Sequence, residues 1–202
     1  MHHITALIAD LTVQSLPPFE ILCVDDGSED ATDSLAQAAG ARVISAGPHT
    51  EGWVGKTWAS QVGAQAASGE LLLFLDADVR LDTHALESLA AMQQSRGGVV
   101  SVQPYHTVPL LRAFFHVFNV ISVAATGAGM PFITRPTGMF GPVLLLPRAL
   151  YLQHGGHAEV KSRVLEDFFL GRHYAKLGIP VWLRAGRGAI NYRMYQDGPG
   201  AL

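Results

Sequence analysis

Apolar residues along the 202-residue chain recur with two different periods. Ile4, Leu7, Ile8 and Leu11 keep the spacing of one helical face, which predicts a helix over residues 4–14, stopped by Pro17 and Pro18. FEILCVDD is instead a continuous apolar run ending in acid, and it predicts a strand. A GS turn leads into a helix, EDATDSLAQAAG, capped by Ser28 or Asp30 and closed by Gly40. The alternation then continues. ARVISAG predicts a strand, TWASQVGAQAASG a helix ending at Gly69, ELLLFLDAD a strand, DTHALESLAAMQQS a helix capped by Asp82 or Thr83, and GGVVSVQPY a strand. Further on, VLEDFFLGRHYAKLG predicts a helix that opens with Glu166 and Asp167 and stops at Gly178, and IPVWLRAGRGAINYRMY predicts extended segments carrying Arg184, Arg187 and Arg193.

Strands that are apolar throughout and alternate with helices point to an α/β fold, a three-layer sandwich around a mainly parallel sheet. The length suits one domain over residues 1–202. Ligands of such sheets lie beyond the carboxyl ends of the strands, which is where Asp25, Asp26, Asp76 and Asp78 fall.

Composition narrows the function classes. With 49% apolar and 15% charged residues the chain is a packed globular one, and a net charge of −3 lacks the basic footprint of a nucleic-acid binder. The lone Cys23 excludes an intrachain disulfide. MHHITALIADL lacks the pattern of a secretory leader, and the uncharged window 113–134 is interrupted by His116, Asn119 and Pro131, so no spanning helix is expected. Residues 97–158 contain no acid but carry Arg112, Arg135 and Arg148 among large apolar side chains. Residues 110–121 within them are a candidate for docking on a lipid surface, with an ordinary buried helix as the competing reading.

The candidate chemistry is anionic. If the strand geometry persists to its end, Asp76 and Asp78 point the same way and repel, a conflict that a divalent cation and a bound diphosphate would remove. Helix capping is the plain alternative for the pair. Asp25 and Asp26 repeat the arrangement at another strand end, where a carboxylate accepts hydrogen bonds from a nucleoside or simply builds a turn. No G-x-G-x-x-G follows, which disfavours a dinucleotide. The glycine-rich run EGWVGKTWASQVG carries Lys56, one of three lysines, whose ammonium suits a phosphate; Trp53 and Trp58 beside it fit a core equally well. Glu166 and Asp167 are favoured at a helix start whatever they do, and one of them is placed to act as a general base toward a hydroxyl.

Taken in order, ILCVDDGSEDAT, GWVGKTWASQVGAQAASGELLLFLDADV, GPVLLLPRALYLQHGGH, VLEDFFLGRHYAKLG and YRMY make the chain resemble the family 2 glycosyltransferases of the GT-A fold, over nearly its whole length. Within that family it is most similar to membrane-associated enzymes of carotenoid and hopanoid pathways. The resemblance implies a metal-dependent, inverting transfer of a sugar from a nucleotide sugar, a UDP-sugar, to a lipid-linked or other hydroxyl acceptor. It also implies Mn²⁺ or Mg²⁺ and a cytoplasmic protein at the inner face of the cell membrane. By resemblance, Asp26 with Asp25 would contact the nucleoside and Asp78 with Asp76 would hold the metal. Asp167 would be the base, with Glu166 beside it in the substrate site, Lys56 and Arg193 would face the phosphates, and Gly155, Gly156 and His157 would lie near the acceptor.

One departure accompanies the match. In the family a P-x-x-N-E type strand lies centrally in the sheet and precedes the first helix, whereas this chain starts at that helix. The resemblance therefore implies a missing first strand, an apolar slot with unpaired backbone, and truncation at the amino end, with the carboxyl end also stopping early. Two other classes stay open: a nucleotidyltransferase, which should show a basic glycine-rich loop after the first strand, and an inactive truncated paralogue serving as a partner subunit.

Overall fold

The computed structural model describes residues 2–106, 126, 136, 138–186 and 189–192. In chain order the elements are α1 (His2–Thr12), β1 (Leu22–Asp25), α2 (Thr32–Ala38), β2 (Arg42–Ser45), α3 (Gly55–Ala66), β3 (Leu71–Leu75), β4 (Val79–Leu81) and α4 (Ala85–Arg96). After them come β5 (Val99–Gln103), β6 (Tyr105–His106), β7 (Val143–Pro147), α5 (Arg148–Gln153), a 3₁₀ turn (Gly156–Val160), α6 (Glu166–Lys176), β8 (Val181–Ala185) and β9 (Ile190–Tyr192).

Each strand and helix predicted from the apolar pattern has a counterpart, with shifts at the ends that have local causes. Helix α1 stops at Thr12 because the Gln14 side chain, outside it, is used to fasten it: its Nε2 donates to the Asp10 and Asp82 carbonyls, and its Oε1 accepts from Leu86 N–H at 3.0 Å. Asp30 and Asp82 act one step earlier than a helix cap does. Their carboxylates accept from Thr32 N–H at 2.9 Å and His84 N–H at 3.0 Å, and α2 and α4 begin just beyond with no side-chain cap. Ser28 and Thr83 make no cap either. Helix α3 ends at Ala66, before Gly69, where Ala67 turns extended and Glu20 accepts both the N–H and the hydroxyl of Ser68.

The main sheet has the order β3-β7-β5-β8. Pairing is parallel for β1–β2, β5–β8 and β6–β9 and antiparallel for β3–β7, β5–β7 and β4–β9, so the sheet is mixed. Its mixed character comes from β7. The run VLLLP sits between GP and a helix, and period alone does not separate a short apolar strand from a helical piece there. Laid centrally and antiparallel to both neighbours, β7 sends Val143 and Leu145 into the core under α1 and α4, and Leu144 and Leu146 into the core under α3, α5 and α6. These two cores make the three layers. At about 1.5–3 kcal/mol for each fully buried large aliphatic side chain, β7 binds both faces of the sheet into one unit.

Strands β1 and β3 are not neighbours. Among the described residues β1 pairs with β2 and β3 with β7, on their far sides, and between them lies an apolar cavity of about 570 Å³ lined by Leu22, Val24, Leu72, Phe74 and the α1 residues Ile4 and Ile8. The apolar slot expected here is present, and among the described residues no strand fills it. Its lining reaches Lys56, Asp76 and Asp167 at one end.

Candidate active site

Helix α3 opens between the ends of β1 and β3. Three contacts fix its first turn: Trp58 Nε1 donates to the Ala46 carbonyl at 2.8 Å, the Thr57 hydroxyl lies 2.9 Å from the Lys161 carbonyl, and Val54 N–H donates to that same carbonyl at 2.9 Å. Trp58 thus anchors the loop to β2, and it stacks edge-on with Trp53 at 5.2 Å. The anchoring leaves Gly55 and Lys56 facing two acidic clusters.

Gly55 lies against Asp26, so close that any Cβ there would collide with the carboxylate. Lys56 reaches the other way. Its Nζ is 3.2 Å from Asp76 Oδ1, 3.2 Å from Glu166 Oε1 and 3.4 Å from Asp167 Oδ2. The apolar run LLLFL thus ends on acid whose positive partner is the ammonium of Lys56. Burial would discharge this lysine, but the three carboxylates outweigh that effect and push its pKa up, so it stays charged.

The strand stops at Leu75, so the alternation that would align Asp76 with Asp78 stops before reaching them. Both sit on a turn closed by Val79 N–H to the Asp76 carbonyl at 3.1 Å, with Asp78 half-buried. Among the described residues no three His, Cys, Asp or Glu side chains converge as a metal cage. The donor set of the turn still fits Mg²⁺ or Mn²⁺, which commonly take one or two carboxylates and fill the remaining positions with phosphate oxygens and water.

Glu166 and Asp167 start α6, where the helix dipole favours negative charge. Burial pushes the Asp167 carboxyl above the usual carboxylate range; Lys56 opposes that shift and Asp76 adds to it. Gly141, just before β7, is pressed on the same carboxylate, and a Cβ there would collide with it. Behind Asp167 stands His157, buried, with Nε2 3.9 Å from Asp167 Oδ1 and Nδ1 2.8 Å from the Tyr151 hydroxyl. Burial holds the imidazole down at about 4, with Glu166 opposing and Lys56 assisting.

Lys56, Asp76, Glu166, Asp167 and His157 are therefore gathered at one place, and Asp26 adjoins it through Gly55. Asp25 builds the turn: its carboxylate accepts from Gly27 N–H at 3.1 Å and Ser28 N–H at 3.0 Å, and the bonds from Ser28 hold its pKa below the usual range. Asp26 pairs with His49 Nε2 at 2.5 Å. Arg193 and residues 110–121 lie outside the described residues. Gly141, His49, Gln61 and Tyr151 were not singled out by sequence reasoning. Gly141 and Tyr151 fall inside the quoted GPVLLLPRALYLQHGGH and Gln61 inside the quoted GWVGKTWASQVGAQAASGELLLFLDADV, whereas His49 carries no local signal.

A mixed α/β sheet with acidic residues beyond its strand ends agrees with the GT-A fold expected from the sequence. Residues 2–133 match the family described as Glycosyl transferase family 2, and the chain belongs to that family. It is 34% identical over 204 residues to the 4,4'-diaponeurosporenoate glycosyltransferase of Staphylococcus haemolyticus, covering 95% of this chain and 53% of that one. The Staphylococcus aureus protein of the same name is 34% identical over 196 residues, covering 92% and 52%. The chain thus spans about half the length of the curated relatives it matches. Among solved structures, glucosyl-3-phosphoglycerate synthase of Mycobacterium tuberculosis in complex with Mn²⁺, uridine diphosphate and glucosyl-3-phosphoglycerate superposes with a TM-score of 0.63 at 21% identity, over 96% of this chain and 68% of that one. Staphylococcus aureus TarS gives 0.62 at 19% identity, over 94% and 34%. No described helix is long and apolar enough to cross a membrane.

Proposed function

We propose that residues 1–202 act as one glycosyltransferase domain that moves a sugar, with inversion, from a UDP-sugar to a hydroxyl of a lipid-like acceptor. The observation that carries this reading is the convergence of Lys56 on Asp76, Glu166 and Asp167. One ammonium among three carboxylates leaves the site with excess negative charge, which a divalent cation arriving with the diphosphate would offset; a diphosphate that takes over Lys56 frees Asp167 at the moment the donor is in place. Asp167 then accepts the proton of the attacking hydroxyl, and Glu166 keeps the ammonium oriented. In this reading Asp26 contacts the nucleoside, and Asp25 builds the turn that presents it. Asp76 and Asp78 would hold Mn²⁺ or Mg²⁺ against the diphosphate, where the ion offsets the charge of the leaving group.

The two halves of the reading are tested by calorimetry and by one variant. Mn²⁺ added without nucleotide should bind weakly, because the turn offers too few ligands of its own, and UDP should bind tightly only with Mn²⁺ present. Asp78→Ala should weaken that metal-dependent binding. Asp167→Asn should keep donor binding and abolish transfer; transfer at the normal rate would remove Asp167 as the base.

A second acceptor class has support from the relatives' name, which describes an apolar carboxylate. An acceptor that is already ionised needs no base, so Asp167→Asn would then retain most of the rate with a carboxylate acceptor and lose it with an alcohol. For membrane contact, Val164 and Leu165 are 86% and 65% exposed beside Lys161 and Arg163, immediately before Glu166. Apolar side chains flanked by cations suit an anionic lipid surface. Loss of sedimentation with phosphatidylglycerol vesicles in Val164→Ser/Leu165→Ser is the expected result; unchanged sedimentation would move the contact elsewhere.

A further inference from the structure

The buried Tyr151 hydroxyl has one hydrogen and three polar neighbours. The backbone N–H of His157 donates to its oxygen at 3.1 Å, while Gln61 Oε1 and His157 Nδ1 each lie 2.8 Å away. A carboxamide oxygen only accepts, so the hydroxyl hydrogen goes to Gln61. His157 Nδ1 must then supply a hydrogen of its own to the Tyr151 oxygen. That leaves Nε2 bare, on the side of the ring that faces Asp167 Oδ1 at 3.9 Å. The spacing agrees: a lone pair facing an anion stands off beyond hydrogen-bond length, whereas an Nε2–H would draw the carboxylate in. The ring is neutral near pH 7, since its burial disfavours the imidazolium.

We infer that Gln61 and Tyr151 fix His157 as the Nδ1–H tautomer, so that its bare Nε2 receives the hydrogen bond of Asp167 once Asp167 has taken the proton of the attacking hydroxyl. This rests on Asp167 being the base. The sugar's C–O bond to the diphosphate breaks as the acceptor oxygen forms the new C–O bond, the electron pair leaves with the diphosphate, the acceptor proton moves to Asp167, and the neutral carboxyl donates to Nε2. His157 acts through Asp167 and is therefore a positioning residue. Four separate elements hold the chain of contacts, with Gln61 on α3, Tyr151 on α5, His157 on the 3₁₀ turn and Asp167 on α6.

Long-range ¹H–¹⁵N correlation on the labelled full chain reads ring protonation directly, with the His157 signals assigned by their loss in His157→Gln. Nδ1–H with a bare Nε2 is expected at pH 7, and Tyr151→Phe should shift the ring to a mixture or to Nε2–H. An Nε2–H tautomer in the wild type overturns the inference, and so does an unchanged tautomer in Tyr151→Phe. In transfer assays Tyr151→Phe should lower kcat about tenfold, as expected for a group behind the reacting one, with the donor KM unchanged; an unchanged kcat, or a change in KM alone, refutes the role. A wild type that shows Nδ1–H but transfers no sugar overturns the proton-acceptor role and the proposed reaction together, while the tautomer assignment stands.

Discussion

His157 should make the fold acid-sensitive in a defined window. The residue is 1% exposed, and burial lowers its pKa from 6.5 to about 4. In the unfolded chain the imidazole binds a proton near pH 6.5, whereas in the folded protein it resists until about pH 4. As the pH falls through that interval the unfolded state takes up more protons, so stability falls. The cost is absent above the upper value, amounts to about 2 kcal/mol at pH 5 and levels off at about 3 kcal/mol below the lower one, at 1.36 kcal/mol per pKa unit. His157→Gln has nothing to titrate there. Urea midpoints measured from pH 7.5 to 4 should therefore decline more steeply in the wild type, and the two curves should converge toward acid. Asp167 works in the opposite sense, since its raised pKa favours the folded state at low pH; because His157 adjoins it, the comparison is made with Asp167→Asn in both proteins, so that the difference reports the ring alone. Parallel curves for the two proteins would refute the reasoning, because they would mean that the ring is solvated or already charged.

Gly141→Ala should cost about 1–3 kcal/mol of stability from overpacking and at least tenfold in kcat, since its Cβ displaces the Asp167 carboxylate; thermal melts and transfer assays separate the two effects. Lys56→Met leaves three carboxylates without their cation. Because the Lys56 side chain is 48% exposed, the loss at pH 7 should be about 1–2 kcal/mol, below that of a fully buried pair, and it should shrink as acid neutralises the carboxylates. Gly55→Ala should weaken UDP binding in calorimetry without a change in the pH profile, as it strikes Asp26 and not Asp167.

Much of this was legible because the chain states it twice, once in period and once in chemistry. Apolar runs that end in acid located β1 and β3 together with the carboxylates beyond them, and the ED pair marked the start of α6. The sequence pattern was silent on β7, since a short apolar run between prolines satisfies a strand and a helix alike. It was equally silent on which cation meets which acid. Arg80, next to the D-x-D, is spent on Asp10 of α1 in a two-pronged ion pair, while the partner of Asp76 comes from Lys56, twenty residues upstream. Hydrogen-bond direction lay further out of reach, as Gln61, Tyr151 and His157 meet only after three elements have packed.

Gly55 and Lys56 are consecutive residues, yet one leans on the acid beside β1 and the other on the acid beyond β3. A tilt of α3 by a few degrees would disturb both ends of a bound sugar nucleotide at once. Recognition of the base and readiness of the reacting end are thus geared to a single rigid lever, and a substitution at the anchor of its first turn, Trp58 on the Ala46 carbonyl, should impair the two together.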